Sequence, residues 1–414
     1  MPHVVFVAPH FLENTNRYVA AFAALDGVTL SVVSEDPAER IPAALRPRVA
    51  AHYGVRNALG AADLTAAVRA LSRAVGRVDR LVGALEQLQM PLAEVRDALG
   101  IEGMSTRVAR NFRDKDQMKS VLRAAGVPVA RSALVRSMGA LRGFIDAVGF
   151  PVIVKPQAGL GTKSTWRLEG EADLEALARR GGPTGASPLQ CEEFVRAREH
   201  TCETVTVRGV PVWRSGTRYF PTPLEVLETP WVQYCVLLPR EADDVTFRRF
   251  DAINGAALAA LFGAEARSAA GTCLTHMEWF LREDGSALVN EVGARPPGVQ
   301  IMPLMSLAHE TDMFAKWAEL VAFDRFVPVE RRWACGAAFF RGQGSGDRVA
   351  SVEGVDAAVE AAGDALVELR APKVGMPRAS GYEGEGWALV RSPTTEGAKR
   401  ALRALIERVR VRYG

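Results

Sequence analysis

Through the first hundred residues, short apolar runs at 4–7, 28–33 and 81–85 alternate with helix-like stretches at 18–25 and 88–99. That alternation predicts a small α/β unit with a parallel sheet, because parallel neighbours need a crossover long enough to return the chain to the same end of the sheet. No Gly-x-Gly-x-x-Gly follows the first run, so a dinucleotide site there is unsupported and the unit reads as scaffold. The pattern over 114–125 is helical and is stopped by Gly126 and then Pro128, and a new unit begins around it. Glycine, proline and serine dominate 181–188, a surface loop between a helix and an apolar strand-like run at 189–195. From 214 to 238 prolines and aromatics mix with little periodicity, which suits either a loop covering a substrate or an ordinary long connection. Residues 304–323 read as helix, 334–340 as a strand running into the glycine-rich turn 341–346, and 396–409 as a last helix capped by Thr394 or Thr395.

A chain of 414 residues exceeds one typical domain and predicts roughly two to four units. Its 48% hydrophobic and 24% charged residues leave ample material for cores. The 51 basic and 48 acidic side chains are spread without a basic tract, so neither a nucleic-acid nor a membrane partner is expected. Five cysteines, odd in number and without a Cys-x-x-Cys pair, predict reduced, buried thiols rather than disulfides or a zinc site. Pro9, His10 and Glu13 interrupt the first apolar run too early for a signal peptide, and no later run approaches about 18 apolar residues. A cytoplasmic location is the expectation.

The segment 275–291 carries the most chemistry. Two strand-like runs flank Asp284-Gly285, a dipeptide suited to a two-residue type I′ turn. That turn would pair Glu283 with Ser286, Phe280 with Val289, Glu278 with Glu291 and His276 with Gly293. Two carboxylates then stand opposite each other on one face, with Cβ atoms roughly 4.5–5.5 Å apart, which is repulsive unless a cation intervenes. Hard oxygen ligands without thiols point to Mg²⁺ or Mn²⁺, and Mg²⁺ is commonly held by one or two carboxylates plus the phosphates of a nucleotide. A solvated hairpin with two indifferent acids is the other reading. Arg295, just ahead of Pro296-Pro297-Gly298, would bring a guanidinium near such a phosphate. His276 shares the face of Glu278 and is either a substrate contact or a satisfied structural histidine.

Val152-Ile153-Val154-Lys155-Pro156 is an apolar strand ending in a lysine, a suitable point charge for a phosphate. The loop after it contains Gly159, Gly161, Thr162, Lys163 and Ser164, whose amides either line a polyphosphate or form a plain hairpin turn. It is not a Walker A loop, since Thr162 separates Gly161 from Lys163 and 166–168 looks extended. Glu192, Glu193, Phe194 and Val195 end the next strand, where the backbone can offer an amide and a carbonyl to an adenine edge and Glu199 can accept ribose hydroxyls. A surface turn with exposed acids is the alternative.

These pieces occur in the order and spacing of the ATP-grasp superfamily, which the chain resembles over about 114–298. Asp114-Lys115 resembles the lysine that opens the central domain, Lys155 the strand-ending lysine, Glu192–Val195 the adenine hinge and Glu199 the ribose acid. Glu278 and Glu291, thirteen residues apart, resemble the metal acids, and Arg295 the arginine that steadies the reacting phosphate or carboxylate. Gly293 departs from the pattern, because many relatives carry an asparagine there as a third protein ligand.

The resemblance implies a mixed α/β (α+β) ATP-grasp architecture. It comprises an N-terminal Rossmann-like domain (1–110), a lid subdomain (111–200), a catalytic subdomain with the metal site (201–330) and a C-terminal α/β extension (331–414). It also implies ATP and Mg²⁺, with Mn²⁺ as an alternative, as cofactors, and Arg295 and Lys155 as catalytic residues. His276, Arg218 and Arg295 are candidate substrate contacts. The implied activity is an ADP-forming carboxylate–amine ligase that makes an amide or peptide bond through an acyl phosphate, on small amino-acid-like carboxylate and amine substrates. A purine-type formyl or carboxyl transferase and a non-catalytic ATP sensor are the alternatives. Relatives commonly form homodimers, but no stretch of this sequence specifies an interface.

Overall fold

The strand His3–Val7 is buried along its whole length, as suits a parallel strand covered by helices on both faces. It pairs in parallel with Thr29–Ser34 and Arg80–Val82, and Val49–Gly54 forms the far edge. Helices Glu13–Ala23 and Ala61–Val75 make crossovers between its strands, and Gln89–Leu99 follows the last of them. The edge strand Val49–Gly54 has no fully buried residue, and so lacks the apolar run that announces the other strands. These features come from a computed structural model that describes residues 1–156, 165–229, 232–241, 245–381 and 383–414.

The helix Lys115–Ala124 begins where the Asp114 carboxylate accepts from the amides of Asp116 and Gln117, satisfying two of the donors that a helix start leaves open. Gly126 beyond its end adopts a positive φ of 71°. Lys115 and Lys119, one turn apart, share the helix face that looks into the molecule, and both are buried.

The next unit is a four-stranded antiparallel sheet in the order Ser132–Val135, Leu189–Glu193, Val152–Pro156, Trp166–Leu168. Helices Met138–Val148 and Glu171–Arg179 cover one face, burying Val152, Val154 and Cys191 in a small core. Alternation therefore turns Ile153, Lys155 and Glu192 to the other face, toward the cleft.

An eight-stranded antiparallel sheet forms the floor. Its order is Ala287–Gly293, Cys273–Leu281, Arg198–Val207, Val210–Phe220, Tyr234–Leu238, Ala334–Phe340, Gly386–Ser392, Leu366–Arg370. Residues on both sides of position 330 contribute to this one sheet. The segment 214–238, read above as loop, is instead the end of one strand, a short helix Pro223–Glu228 with a complete capping box at Thr222, and the strand Tyr234–Leu238. Pro221 lies between the strand and the helix and Pro223 at the helix start, where proline costs no ladder hydrogen bond. The stretch 304–323 is two helices, Ile301–His309 and Met313–Phe323, parted where Glu310 takes a left-handed conformation and Asp312 caps the second. Behind the floor, helix Val245–Phe262 packs Phe247 and Phe250 on Trp279, with the Phe250 and Trp279 rings stacked at 4.1 Å. The last helix, Thr395–Arg408, is capped by Thr394 as expected. All five cysteines are free and buried, and no described helix is long and apolar enough to cross a membrane.

Candidate active site

Between the four-stranded sheet and the floor lies a cleft of about 1260 Å³, reached also by the N-terminal unit through Glu86. The floor contributes through strand register. Glu203, Thr201 and Glu199 alternate along Arg198–Val207 and pair with His276, Glu278 and Phe280 of the neighbouring strand. On the far side Glu278 pairs with Glu291 and His276 with Gly293. Register thus places Glu199, Glu203, Glu278, Glu291 and His276 on one face, while Cys202, Met277 and Trp279 point to the core behind.

The pairing of Glu278 with Glu291 is the expected one, but it is reached differently. The turn is a three-residue loop, Glu283 to Gly285, closed by the Arg282 amide on the Ser286 carbonyl, with Gly285 at a φ of 82°. Phe280 accordingly pairs with Leu288 rather than Val289, and Leu281 with Ala287. A bulge at Asn290 then restores the register before Glu291. The two departures from a regular two-residue hairpin cancel.

On the lid side, Lys155 and Lys119 both reach the Glu192 carboxylate, at 3.0 and 2.9 Å. Lys115 holds Glu291 at 2.5 Å. Glu192 is thus an internal counter-ion for two lysines and not an exposed acid of a surface turn. Burial alone would push its carboxyl up, but the Lys119 and Lys155 charges take it down to about 2. Burial and the Lys115 and Lys155 charges act in the same opposed way on Glu291, again leaving it at about 2. Glu199 is raised well above the usual carboxylate range by burial and by the nearby Glu278 charge. Burial would lower His276, yet its hydrogen bond to Glu203 (Nδ1 to Oε1, 2.8 Å) and its contact with Glu278 raise it to about 9.

The hinge residues carry backbone at the cleft edge. The amides of Glu193 and Phe194 donate to the carbonyls of Arg131 and Pro151, so of the hinge amides Val195 is the one left to face a ligand. The Glu193 carboxylate is drawn outward to Arg131, at 2.6 Å. Ala130, Ile153, Val195 and Phe280 line the adjoining wall and make it apolar.

Arg295 lines the cleft, with Nη2 2.8 Å from Glu86 and Nη1 on the Pro296 carbonyl. Glu86 also takes an ion pair from Arg113. Sequence reasoning missed three of these partners: Glu86, which comes from the N-terminal unit some two hundred residues away, and Glu203 and Lys119, which register and helix phase bring in. Lys119 was in principle legible, one helical turn after Lys115.

Arg218 is a correction. It pairs with His200, and its chain neighbours Thr217 and Tyr219 face the cleft side, Thr217 donating to Glu203. Alternation therefore puts Arg218 on the opposite face, and it is not among the residues that line this cleft. Gly159, Gly161, Thr162, Lys163 and Ser164 lie outside the described residues.

The chain's relatives bear on this geometry. Residues 114–198 match the family model described as carbamoyl-phosphate synthase L chain, ATP binding domain. The chain is 29% identical over 195 residues to a D-alanine–D-alanine ligase of Frankia casuarinae, covering 44% of this chain and 48% of that protein. It is 24% identical over 269 residues to an alanine–anticapsin ligase of Bacillus subtilis, covering 60% and 55%. The chain thus spans about half the length of these relatives. Among solved structures, an L-amino acid ligase from Bacillus licheniformis superposes with a TM-score of 0.76 at 16% identity, over 100% of this chain and 99% of that one. An N5-carboxyaminoimidazole ribonucleotide synthetase from Thermotoga maritima gives 0.70 at 18% identity, over 100% of both. At such identities the likeness speaks for the fold alone. Residues 114–198 thus resemble an ATP-binding domain of that family, and the chain as a whole shares the fold of these ligase and synthetase structures.

Proposed function

We propose that this chain is an ATP-dependent carboxylate–amine ligase that forms an amide or peptide bond on amino-acid-like substrates, releasing ADP and phosphate. The observation that carries the reading is the face-to-face placement of Glu278 and Glu291 on the floor with Lys115 and Lys155 across the cleft. The named relatives, which join alanine to a second amino acid or to anticapsin, favour this chemistry over other uses of the fold.

Among the described residues no three His, Cys, Asp or Glu side chains gather as a metal site by themselves. Two opposed carboxylates without a thiol suit a hard divalent ion that takes its remaining ligands from water and phosphate oxygens. Glu278 and Glu291 would hold Mg²⁺, or Mn²⁺, which when bound would neutralise charge on the transferring phosphoryl group.

The rest is done by the chain's own groups. The apolar wall beside Val195 takes the adenine, and Glu199, protonated or not, can accept from or donate to ribose hydroxyls. Lys155 and Lys115 orient the phosphates; Lys115 gives up Glu291 as it turns to them. The substrate carboxylate oxygen attacks the γ-phosphorus in line, the bond from that phosphorus to the β,γ-bridging oxygen breaks, and ADP leaves, a step in which positioning and charge neutralisation supply most of the catalysis. The amine then attacks the acyl carbon and inorganic phosphate departs. Arg295 steadies the anionic phosphate and the tetrahedral oxyanion, a contribution of roughly 3–4 kcal/mol for such donors. His276, oriented by Glu203 and charged at neutral pH, serves as a cation for a substrate carboxylate rather than as the base that accepts the amine's proton. Free, buried thiols suit the reducing cytoplasm in which we place the reaction.

Phosphate release measured over pairs of amino acids tests the proposal. Release that needs two amino acids, and that Glu291→Gln abolishes while leaving the melting temperature near wild type, is the expected outcome. Release dependent on bicarbonate instead would favour carboxyl transfer, and no release with any substrate would favour a sensor.

A further inference from the structure

Glu278 pairs with Glu291 and Trp279 with Val289, so Asn290 has no partner of its own in the ladder. Val289 and Val292 are both fully buried, in the same apolar cluster behind the sheet. Regular alternation cannot put two residues three apart on one face. The bulge does so, and it leaves Asn290 and Glu291 side by side on the other face, where both line the cleft with Glu278. A bulge disrupts its ladder locally and re-aims a side chain. The side chain re-aimed here is a primary amide, which carries a hard, neutral carbonyl oxygen.

We propose that Asn290 is a third protein ligand, through Oδ1, of the divalent cation held by Glu278 and Glu291. This rests on the two-glutamate reading above and specifies how the chain completes it. Gly293, two residues past Glu291 in the opposite strand position to His276, has no side chain to contribute. A neutral amide adds a ligand without adding a further negative charge to a face that already carries Glu199, Glu203, Glu278 and Glu291. Hard oxygen donors of this kind suit Mg²⁺ and Mn²⁺ and offer softer ions no thiolate.

Mn²⁺ binding in the presence of ADP, followed by electron paramagnetic resonance, tests the assignment on wild type, Asn290→Ala and Glu291→Gln. The expected result is Mn²⁺ affinity weakened by about tenfold or more in Asn290→Ala, with its melting temperature unchanged, and a larger loss in Glu291→Gln. Asn290→Cys should in addition bind Cd²⁺ with a cadmium–thiolate charge-transfer band that the wild type, with its five buried cysteines, does not give. A residue that merely shaped the hairpin would not create that band. Asn290→Ala affinity within about twofold of wild type, beside a clear loss in Glu291→Gln and no new band in Asn290→Cys, would overturn the proposal and leave the two-glutamate site standing. Unchanged affinity in Glu291→Gln would remove both.

Discussion

Glu192 sits between two ammonium groups in a nearly water-free place, and that makes the seam between the lid and the helix Lys115–Ala124 sensitive to acid. Its carboxyl is at about 2 in the folded chain against 4.5 for a free glutamate. The folded value being the lower, the stabilisation is fully present above pH 4.5 and is lost as pH falls toward 2; the shift corresponds to about 3 kcal/mol. Urea midpoints of wild type should therefore drop through that window, and Glu192→Gln, already weaker at neutral pH because two lysines lose their counter-ion, should show a flatter acid limb. Glu86 offers a second test at this scale. It holds Arg295 by a charge-assisted bond whose loss costs roughly 1.5–3 kcal/mol. Glu86→Gln should lower kcat about tenfold or more with little change in the KM for ATP, and Glu86→Asp should recover part of it; an unchanged kcat would show that Arg295 needs no such anchor. That Lys115, Lys155, Glu278 and Glu291 would meet in one cleft was legible in the sequence because motif spacing carries them. Glu86 and Glu203 were not, since nothing local distinguishes a glutamate that will be buried against an arginine or a histidine from one that will face water.

The hairpin shows how an element can be read correctly by a wrong route. Asp284-Gly285 announces a turn, but the strands around it contain an even spacing of apolar residues only up to Val289. Keeping Trp279 opposite Val289 in the core forces a three-residue loop at one end and a bulge at the other. The preference of Asp-Gly for a type I′ turn is worth less than burying these side chains. Gly285 carries the positive φ in this loop, so Gly285→Ala should destabilise by about 1–2 kcal/mol. Chemical denaturation would detect that, and a neutral substitution would contradict the loop geometry. The segment 214–238 failed for a related reason. Its strands Val210–Phe220 and Tyr234–Leu238 are stabilised by neighbours on both sides rather than by a pattern of their own.

Across the whole molecule, the N-terminal unit is tied to the floor by an aromatic cluster. Trp317 of the helix Met313–Phe323 meets Phe6, Tyr18 and Phe22 edge-on, with centroids 5.1 to 6.5 Å apart, and Phe314 packs on Tyr18 at 4.9 Å. These rings share one continuous core with the central floor strands. The first unit should therefore unfold together with the floor, in a single calorimetric transition. Trp317→Ala should cost about 3–5 kcal/mol and split that transition, the N-terminal unit melting first. A variant that still melts in one step, with little loss of stability, would show that the units are held together elsewhere. The same docking brings Glu86 to Arg295, so it also sets the geometry of the cleft.

What the sequence by itself determined is the alternating α/β character of the first unit, though not its edge strand Val49–Gly54 or its helix Ala61–Val75, together with the strand-ending lysine, the spacing of the two acids and the helix that starts at Asp114. Each depends on residues within one or two turns or one hairpin of each other, where periodicity and capping chemistry act directly. What only the tertiary structure decided is which face each of those side chains occupies and what stands across from it. The bulge at Asn290, the placing of Arg218 on the floor's rear face, and the pairings of Glu86 with Arg295 and of Glu203 with His276 all follow from burying one face of a sheet against distant helices. Packing of that kind outweighs local preference by several side chains' worth of apolar burial, roughly 1.5–3 kcal/mol each, and no local stretch of sequence records the distant surface that supplies it.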